Sequence, residues 1–366
     1  TDNLTANECL IRFGGDEFIV LAAQIKTRSQ IENLCQNLIQ WCSSEFDVLQ
    51  TKIVVSGSIG VAQAPYDGVK FKQLCRKADI AMYEAKRNGR NRFEFYDVRF
   101  DEESDEKFSL IQRLRPAVQA NALAVYYQPL IDLKTGNICA LEALLRWPQE
   151  DGSMIFPDKF IPLAESSGLI DTLGAWVLNQ ACMFCAKQQQ NGNSELSIAV
   201  NLSFAQFKDG NLPQIVKGAL EISQLAPEHL ELELTESILA DDNGNVIQQL
   251  EQIKSLGVTF AIDDFGTGYS NLNYLRTFSA QKLKIDRIFI NTLGFDEKDV
   301  PLVTAIISIA ESLGMATVAE GIENEAALKK ITEMGCDIGQ GYYWSKPVPA
   351  EQIERLIEAQ SPTNQR

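Results

Sequence analysis

The chain has 366 residues, a formal net charge of −16, one histidine and eight cysteines. That length fits two domains, and 45 % hydrophobic residues are enough for full cores, so neither disorder nor a disulfide framework is implied. The charge argues against duplex nucleic acid or an anionic membrane as partner. The lone His229 argues against a Ser-His-Asp triad and excludes a multi-histidine zinc site.

In chain order, residues 8–25 read as two strands around Gly14-Gly15-Asp16-Glu17. Residues 28–44 carry helical apolar spacing at Ile31, Leu34, Leu38, Ile39 and Trp41. A Val- and Ile-rich strand is expected over 52–62, a helix over 71–88 and a short strand over 92–96. The acidic run Asp101-Glu102-Glu103-Ser104-Asp105-Glu106 marks a composition shift and reads as a solvated linker or helix start. The expected division is a first domain over 1–98, a linker or helix over 99–112 and a second domain over 113–360.

The second domain repeats a short apolar segment eight times, at 124–130, 138–147, 196–202, 230–235, 258–263, 282–285, 316–319 and 338–344, with helical stretches between. Strands alternating with helices indicate a parallel sheet, and eight units in about 250 residues fit a (β/α)₈ barrel. The first two segments are joined through Lys134-Thr135-Gly136-Asn137, which reads as a hairpin. One strand is therefore expected to run antiparallel, making an irregular TIM barrel of the α/β class. Cys182 and Cys185 form the one C-x-x-C, inside a helical run over 169–190. It lacks the strand-to-helix setting of a redox pair and the second pair of a zinc site, so the cysteines read as buried free thiols in a reducing compartment. There is no signal peptide and no apolar run of the roughly 18 residues a membrane span needs. The expectation is a cytoplasmic chain, any membrane part lying upstream of Thr1.

Barrel enzymes carry their chemistry at the C-terminal ends of strands. Here Glu142, Asn201, Glu233, Asp263-Asp264, Lys284 with Asp286, Glu320 and Gln340 fall within or at the ends of the segments. Any one of them reads equally well as a loop or helix-cap residue; the joint pattern does not. Glu142, Glu233, Asp263, Asp264 and Glu320 bring five negative charges to one pocket, which Lys284 and two divalent cations would neutralise. Oxygen ligands without histidine or cysteine favour Mg²⁺ or Mn²⁺, with Ca²⁺ binding less productively. Two such ions about 3.5–4 Å apart suit in-line hydrolysis of a phosphate ester.

The motifs Glu142-Ala143-Leu144-Leu145-Arg146-Trp147, Asn201-Leu202-Ser203, Glu233-Leu234-Thr235-Glu236-Ser237, Asp263-Asp264-Phe265-Gly266-Thr267-Gly268, Lys284-Ile285-Asp286, Val318-Ala319-Glu320-Gly321 and Gln340-Gly341-Tyr342 with Lys346-Pro347 occur in this order. Over about 108–356 the chain thereby resembles the EAL family of cyclic di-GMP phosphodiesterases. The resemblance implies Glu142, Asn201, Glu233 and Asp263 as ligands of one metal, and Asp263, Asp264 and Glu320 as ligands of a second. It implies Lys284 as the residue that orients or helps deprotonate the attacking water, and Glu236 as support for the loop after Asp264. Gln128, Arg146, Asp286, Gln340 and Pro347 match substrate-contact positions; for Arg146 the competing reading is a salt bridge to a neighbouring carboxylate. The implied product is linear pGpG, and a homodimer through the barrel is the implied assembly. The rival reading is a receptor that binds cyclic di-GMP without cleaving it, but the full metal set favours the enzyme.

Arg12-Phe13-Gly14-Gly15-Asp16-Glu17-Phe18, with residues 58–62 and 78–91, resembles the GGDEF family of diguanylate cyclases, which are α+β domains. The resemblance implies Asp16 as a metal ligand and Lys86 and Arg90 as phosphate contacts. It begins midway through the family pattern, and the family's inhibitory Arg-x-x-Asp would fall at Thr5 to Glu8, where both ends differ. The expectation is a partial domain that does not synthesise cyclic di-GMP, attached to a sensory portion of a longer parent.

Overall fold

The structure, a computed structural model, describes residues 7–360 apart from 49–50, 121, 240–243, 267–277, 279, 294 and 296. Its contacts divide the chain into two units, Thr1–Ser109 and Leu110–Arg366. No helix among the described residues is long and apolar enough to cross a membrane.

In the first unit, strands β1 (Glu8–Gly14) and β2 (Glu17–Ala22) form an antiparallel hairpin. Gly15 turns it at φ +50, a left-handed conformation that glycine adopts without a Cβ penalty. Arg12 Nη2 donates to the Gly15 carbonyl at 2.9 Å across the turn. Helix α1 (Arg28–Cys42) starts in a capping box between Thr27 and Gln30. The single strand expected over 52–62 is two strands with different partners. β3 (Glu45–Val48) pairs antiparallel with β4 (Thr51–Val54), while β5 (Ile59–Val61) pairs parallel with β6 (Phe93–Phe95). Helix α2 (Phe71–Arg87) joins β5 to β6 and lies directly on β5, where a Cβ on Gly60 would collide with the Ala78 carbonyl. Helix α3 (Val98–Gln119) contains the whole acidic run, and the division between the units falls within it.

The second unit is the irregular TIM barrel. β7 (Ala124–Asp132) and β8 (Ile138–Pro148) pair antiparallel, and the two-residue β9 (Met154–Ile155) adds to the end of β8. Then follow β10 (Ser197–Asn201), β11 (Leu230–Thr235), β12 (Thr259–Phe265), β13 (Lys282–Ile285), β14 (Ala316–Ala319) and β15 (Ile338–Gly339), each parallel to its predecessor, with β10 parallel to β8. The ring closes when β15 pairs antiparallel with β7, so β7 is the inverted strand. A short β16 (Val348–Pro349) pairs with the beginning of β7.

Side-chain alternation sorts each strand. Leu141, Ile198, Leu232, Ile262 and Leu283 are fully buried in the main core, to which helices α4 (Pro157–Ser166) and α5 (Ile170–Gln190) also contribute. A smaller apolar cluster of Leu130, Ala140, Val318 and Ile338 forms separately. All eight cysteines are unpaired. Cys182 and Cys185 are fully buried on α5 and burial pushes both thiols up to about 12, whereas Cys9 is exposed.

Candidate active site

The strand ends place the site. Glu142 on β8 and Leu141 beside it point to opposite faces, and the same alternation presents Asn201, Glu233, Asp263 and Lys284 together with Glu142. Lys284 is 1 % exposed and stands at the centre. Its Nζ lies 2.7 Å from Glu320 Oε1, 2.8 Å from Glu233 Oε2, 3.2 Å from Asp263 Oδ1 and 3.9 Å from Glu142 Oε1. Neutral amides complete the shell around Glu142. Asn201 Nδ2 donates to its Oε1 at 2.7 Å, and Gln340 Nε2 donates to its Oε2 at 2.6 Å. Gln340 Nε2 also reaches Gln128 Oε1 at 3.1 Å, and Gln128 Nε2 donates to the Ser345 carbonyl at 3.1 Å.

One lysine does not neutralise these acids. For Glu142, burial raises the pKa, but the charge of Lys284 and the hydrogen bonds from Gln340 and Asn201 outweigh it and leave the carboxyl below its ordinary value. Glu233 ends well above the ordinary value because it is buried and faces the charge of Glu142. Burial likewise lifts Glu320 to about 8, with Lys284 opposing and Asp263 adding to the rise. Asp264 is lifted to about 6 by burial and by Asp263. Burial alone would lower the Lys284 pKa, but Asp263, Glu142, Glu233 and Glu320 drive it well above that of a free lysine. The site thus holds more negative charge than its own cation balances.

That excess fits divalent cations. Glu233 Oε1 is buried without a hydrogen-bond partner among the described residues. Oxygens of Asp263, Asp264 and Glu320 lie within 4.8 Å of one another. Asp264 achieves this by leaving the extended conformation. Its φ is +55, and its backbone N–H donates to Asp263 Oδ1 at 3.0 Å. Aspartate tolerates that left-handed turn better than most residues. On a straight strand the two neighbouring carboxylates would point apart.

The remaining expected residues are dispersed around this centre. Asp286 is adjacent to Asp264 and caps the short helix Arg287–Ile290, its Oδ1 accepting from Ile288 N at 2.7 Å. Glu236 begins the helical turn after β11, and both its carboxylate oxygens are buried without a hydrogen-bond partner among the described residues. Most of the loop it was expected to support, 267–270, lies outside the described residues. Pro347 is half-buried just before β16. Arg146 is half-buried near the end of β8, and its Nη1 donates to the Leu145 carbonyl at 2.8 Å. No carboxylate lies within ion-pair distance of it among the described residues, although the charge of Glu142 acts on it. In the first unit Asp16, Lys86 and Arg90 are exposed, and Phe18 is 56 % exposed. Asp16 joins no group of three metal-ligating side chains among the described residues.

Two features escaped the sequence reading. Lys282, two residues before Lys284, pairs with the buried Glu231 at 3.0 Å. The i, i+2 spacing of both lysines and both glutamates was the available signal. Arg146 also sits between two rings, its Cζ 6.0 Å from the Tyr126 centroid and 5.8 Å from the Phe156 centroid.

Comparison with known proteins adds the following. The EAL domain model matches residues 111–347, and the diguanylate cyclase GGDEF domain model matches residues 1–92. The bifunctional diguanylate cyclase/cyclic di-GMP phosphodiesterase MucR of Pseudomonas aeruginosa is 39 % identical over 96 % of this chain and 51 % of its own length. The cyclic di-GMP phosphodiesterase PdeR of Escherichia coli is 33 % identical over 96 % of this chain and 53 % of its own length. The chain thus spans about half the length of the curated relatives it matches. A solved structure of the PaMucR phosphodiesterase in complex with c-di-GMP superimposes with a TM-score of 0.64 and 42 % identity, covering 67 % of this chain and 99 % of that one.

Proposed function

Because this chain belongs to the EAL-domain family, with a GGDEF-family region ahead of the barrel, we propose that its barrel hydrolyses cyclic di-GMP to linear pGpG. The observation that carries this reading is the set of Glu142, Asn201, Glu233, Asp263, Asp264 and Glu320, with Glu142 and Glu233 buried, gathered around Lys284 with charge to spare.

Glu142, Asn201, Glu233 and Asp263 would hold one Mg²⁺ or Mn²⁺, and Asp263, Asp264 and Glu320 a second. Such ions lower the pKa of water and offset the negative charge that develops on a reacting phosphate. The chain's own groups do the rest. Water attacks phosphorus, the bond from phosphorus to one ribose 3′ oxygen breaks, and that oxygen leaves with a proton. Lys284, fixed among its carboxylates, orients the attacking water. Arg146 offers a planar fork to a phosphate. Gln340 ties Glu142 to Gln128, which fixes the acid's orientation. Asp286 and Pro347 match substrate-contact positions, and Glu236 would support the loop after Asp264.

The test is chromatography of cyclic di-GMP after incubation with the protein. Linear product with Mg²⁺ or Mn²⁺ and little with Ca²⁺ is the expected result. Intact dinucleotide bound to the protein in Mg²⁺ would make it a receptor.

A further inference from the structure

We propose that Phe156 is a positioning residue, holding the Arg146 guanidinium ready for a substrate phosphate. This rests on the reading of Arg146 as a phosphate contact. The register of β9 on β8 pairs Trp147 with Ile155 and Pro148 with Met154, so one further step sets Phe156 opposite Arg146. On the other side β7 pairs Ala124 with Arg146, which brings Tyr126 onto the diagonal of the same face. The two rings flank the guanidinium at 5.8 and 6.0 Å, within the range of cation–π attraction.

Helix capping does not explain a phenylalanine here. Phe156 is the N-cap of α4, where Ser, Thr, Asp or Asn would bond the free backbone N–H groups and contribute about 1 kcal/mol. Phe156 makes no such bond, and its side chain is 54 % exposed. Its ring centroid lies 5.8 Å from the Arg146 Cζ. A π face differs from a carboxylate in one decisive respect: it restrains the cation without neutralising it. Arginine carries about 2 kcal/mol of rotamer entropy, and ordering it beforehand removes part of that cost from binding. The full positive charge remains for the incoming phosphate.

The experiment compares Phe156→Leu, Phe156→Tyr and Phe156→Ser by steady-state kinetics on cyclic di-GMP with Mg²⁺. Phe156→Leu should raise KM about fivefold, the equivalent of one cation–π contact, and more than it lowers kcat. Phe156→Tyr, which keeps the ring, should restore KM to within about twofold. Phe156→Ser should raise Tm as a better cap and still raise KM, a pair of opposite shifts that a purely structural role does not produce. In an Arg146→Ala background Phe156→Leu should have no further effect. An unchanged KM in Phe156→Leu, or the same penalty in both backgrounds, overturns the proposal. A second readout needs no turnover: the guanidinium NMR signals of Arg146 should show a ring-current shift in the wild type and Phe156→Tyr and lose the Phe156 share of it in Phe156→Leu, Tyr126 remaining. A wild-type protein that leaves cyclic di-GMP intact overturns the functional reading. A wild-type Arg146 without the shift overturns the positioning.

Discussion

Two lysines on β13 stand two residues apart on one face, yet they meet opposite surroundings. Lys282 faces one buried acid, Glu231, at 3.0 Å. Lys284 faces four, between 2.7 and 3.9 Å. A one-to-one pair is electrically complete and has no capacity for another cation. A one-to-four cluster is not, and it reveals this by lifting Glu233 and Glu320 above their ordinary values. Stoichiometry, more than burial, separates the ion pair that holds strands together from the site proposed for metal and phosphate.

The strongest way to break this contrast is at the upper cluster. Glu142→Ala should lower kcat by about a thousandfold or more, since it removes a proposed metal ligand. Activity within tenfold of wild type would remove Glu142 from the ligand set. Lys284→Met should cost about 10²–10⁴ in kcat, and isothermal titration should still detect Mg²⁺, because the acids remain. Loss of Mg²⁺ binding would show that the lysine builds the site instead of acting within it.

The lower pair should respond in stability alone. Glu231→Gln leaves the half-buried Lys282 without its counter-charge, at a cost of about 3 kcal/mol in urea unfolding. The double change Glu231→Leu with Lys282→Met should recover most of that loss, and its kcat/KM should stay within about threefold of wild type. A large catalytic loss in the double variant would erase the distinction between the two lysines.

The upper cluster should also be sensitive to pH in a defined direction. Asp264 and Glu320 bind protons more tightly in the fold than in the unfolded chain, at about 6 and about 8. The metal-free protein should therefore lose stability as pH rises from the ordinary carboxylate range toward 8. Protons and cations compete for these oxygens, so Mg²⁺ affinity should fall as pH drops from 8 to 6. The Tm difference between Mg²⁺ and chelator, measured at each pH, should grow toward alkaline pH; a flat difference would contradict the charge excess. The smallest effect is on the thiols. Cys182 and Cys185, held near 12, should stay silent to a thiol reagent in the native protein while exposed Cys9 reacts.

The barrel was legible because its strands carry two patterns at once. In Lys282-Leu283-Lys284-Ile285 the apolar residues mark one face and the lysines the other. The inverted first strand was legible in its turn, where Asp132 Oδ1 accepts from Lys134 N and Thr135 N and Gly136 adopts φ +75. The last strand was not. Gln340 to Trp344 read as its continuation, but the strand ends at Gly339, and Gly341 lies against the Ile322 backbone, a contact no local pattern encodes. The strand expected over 52–62 failed for a similar reason, as Ser56-Gly57-Ser58 separates two strands whose partners lie far apart in sequence. The site's polar residues were individually visible, but the pairing of Lys282 with Glu231 depends on which strands face each other across the ring. Phe156 was hidden because β9 is only two residues long and shows no alternation.

The ring's closure also bears on how the protein matures. The β7–β8 hairpin is local and can form early, whereas pairing Asp132 with Ile338 joins opposite ends of the barrel's sequence and is entropically the harder contact to make. That late pairing is what brings Gln340 onto Glu142 and Gln128. A chain still emerging from the ribosome, or one trapped with an open ring, would carry most of the acids but not their final amide clamp. Completion of the fold is thus a precondition for the proposed activity.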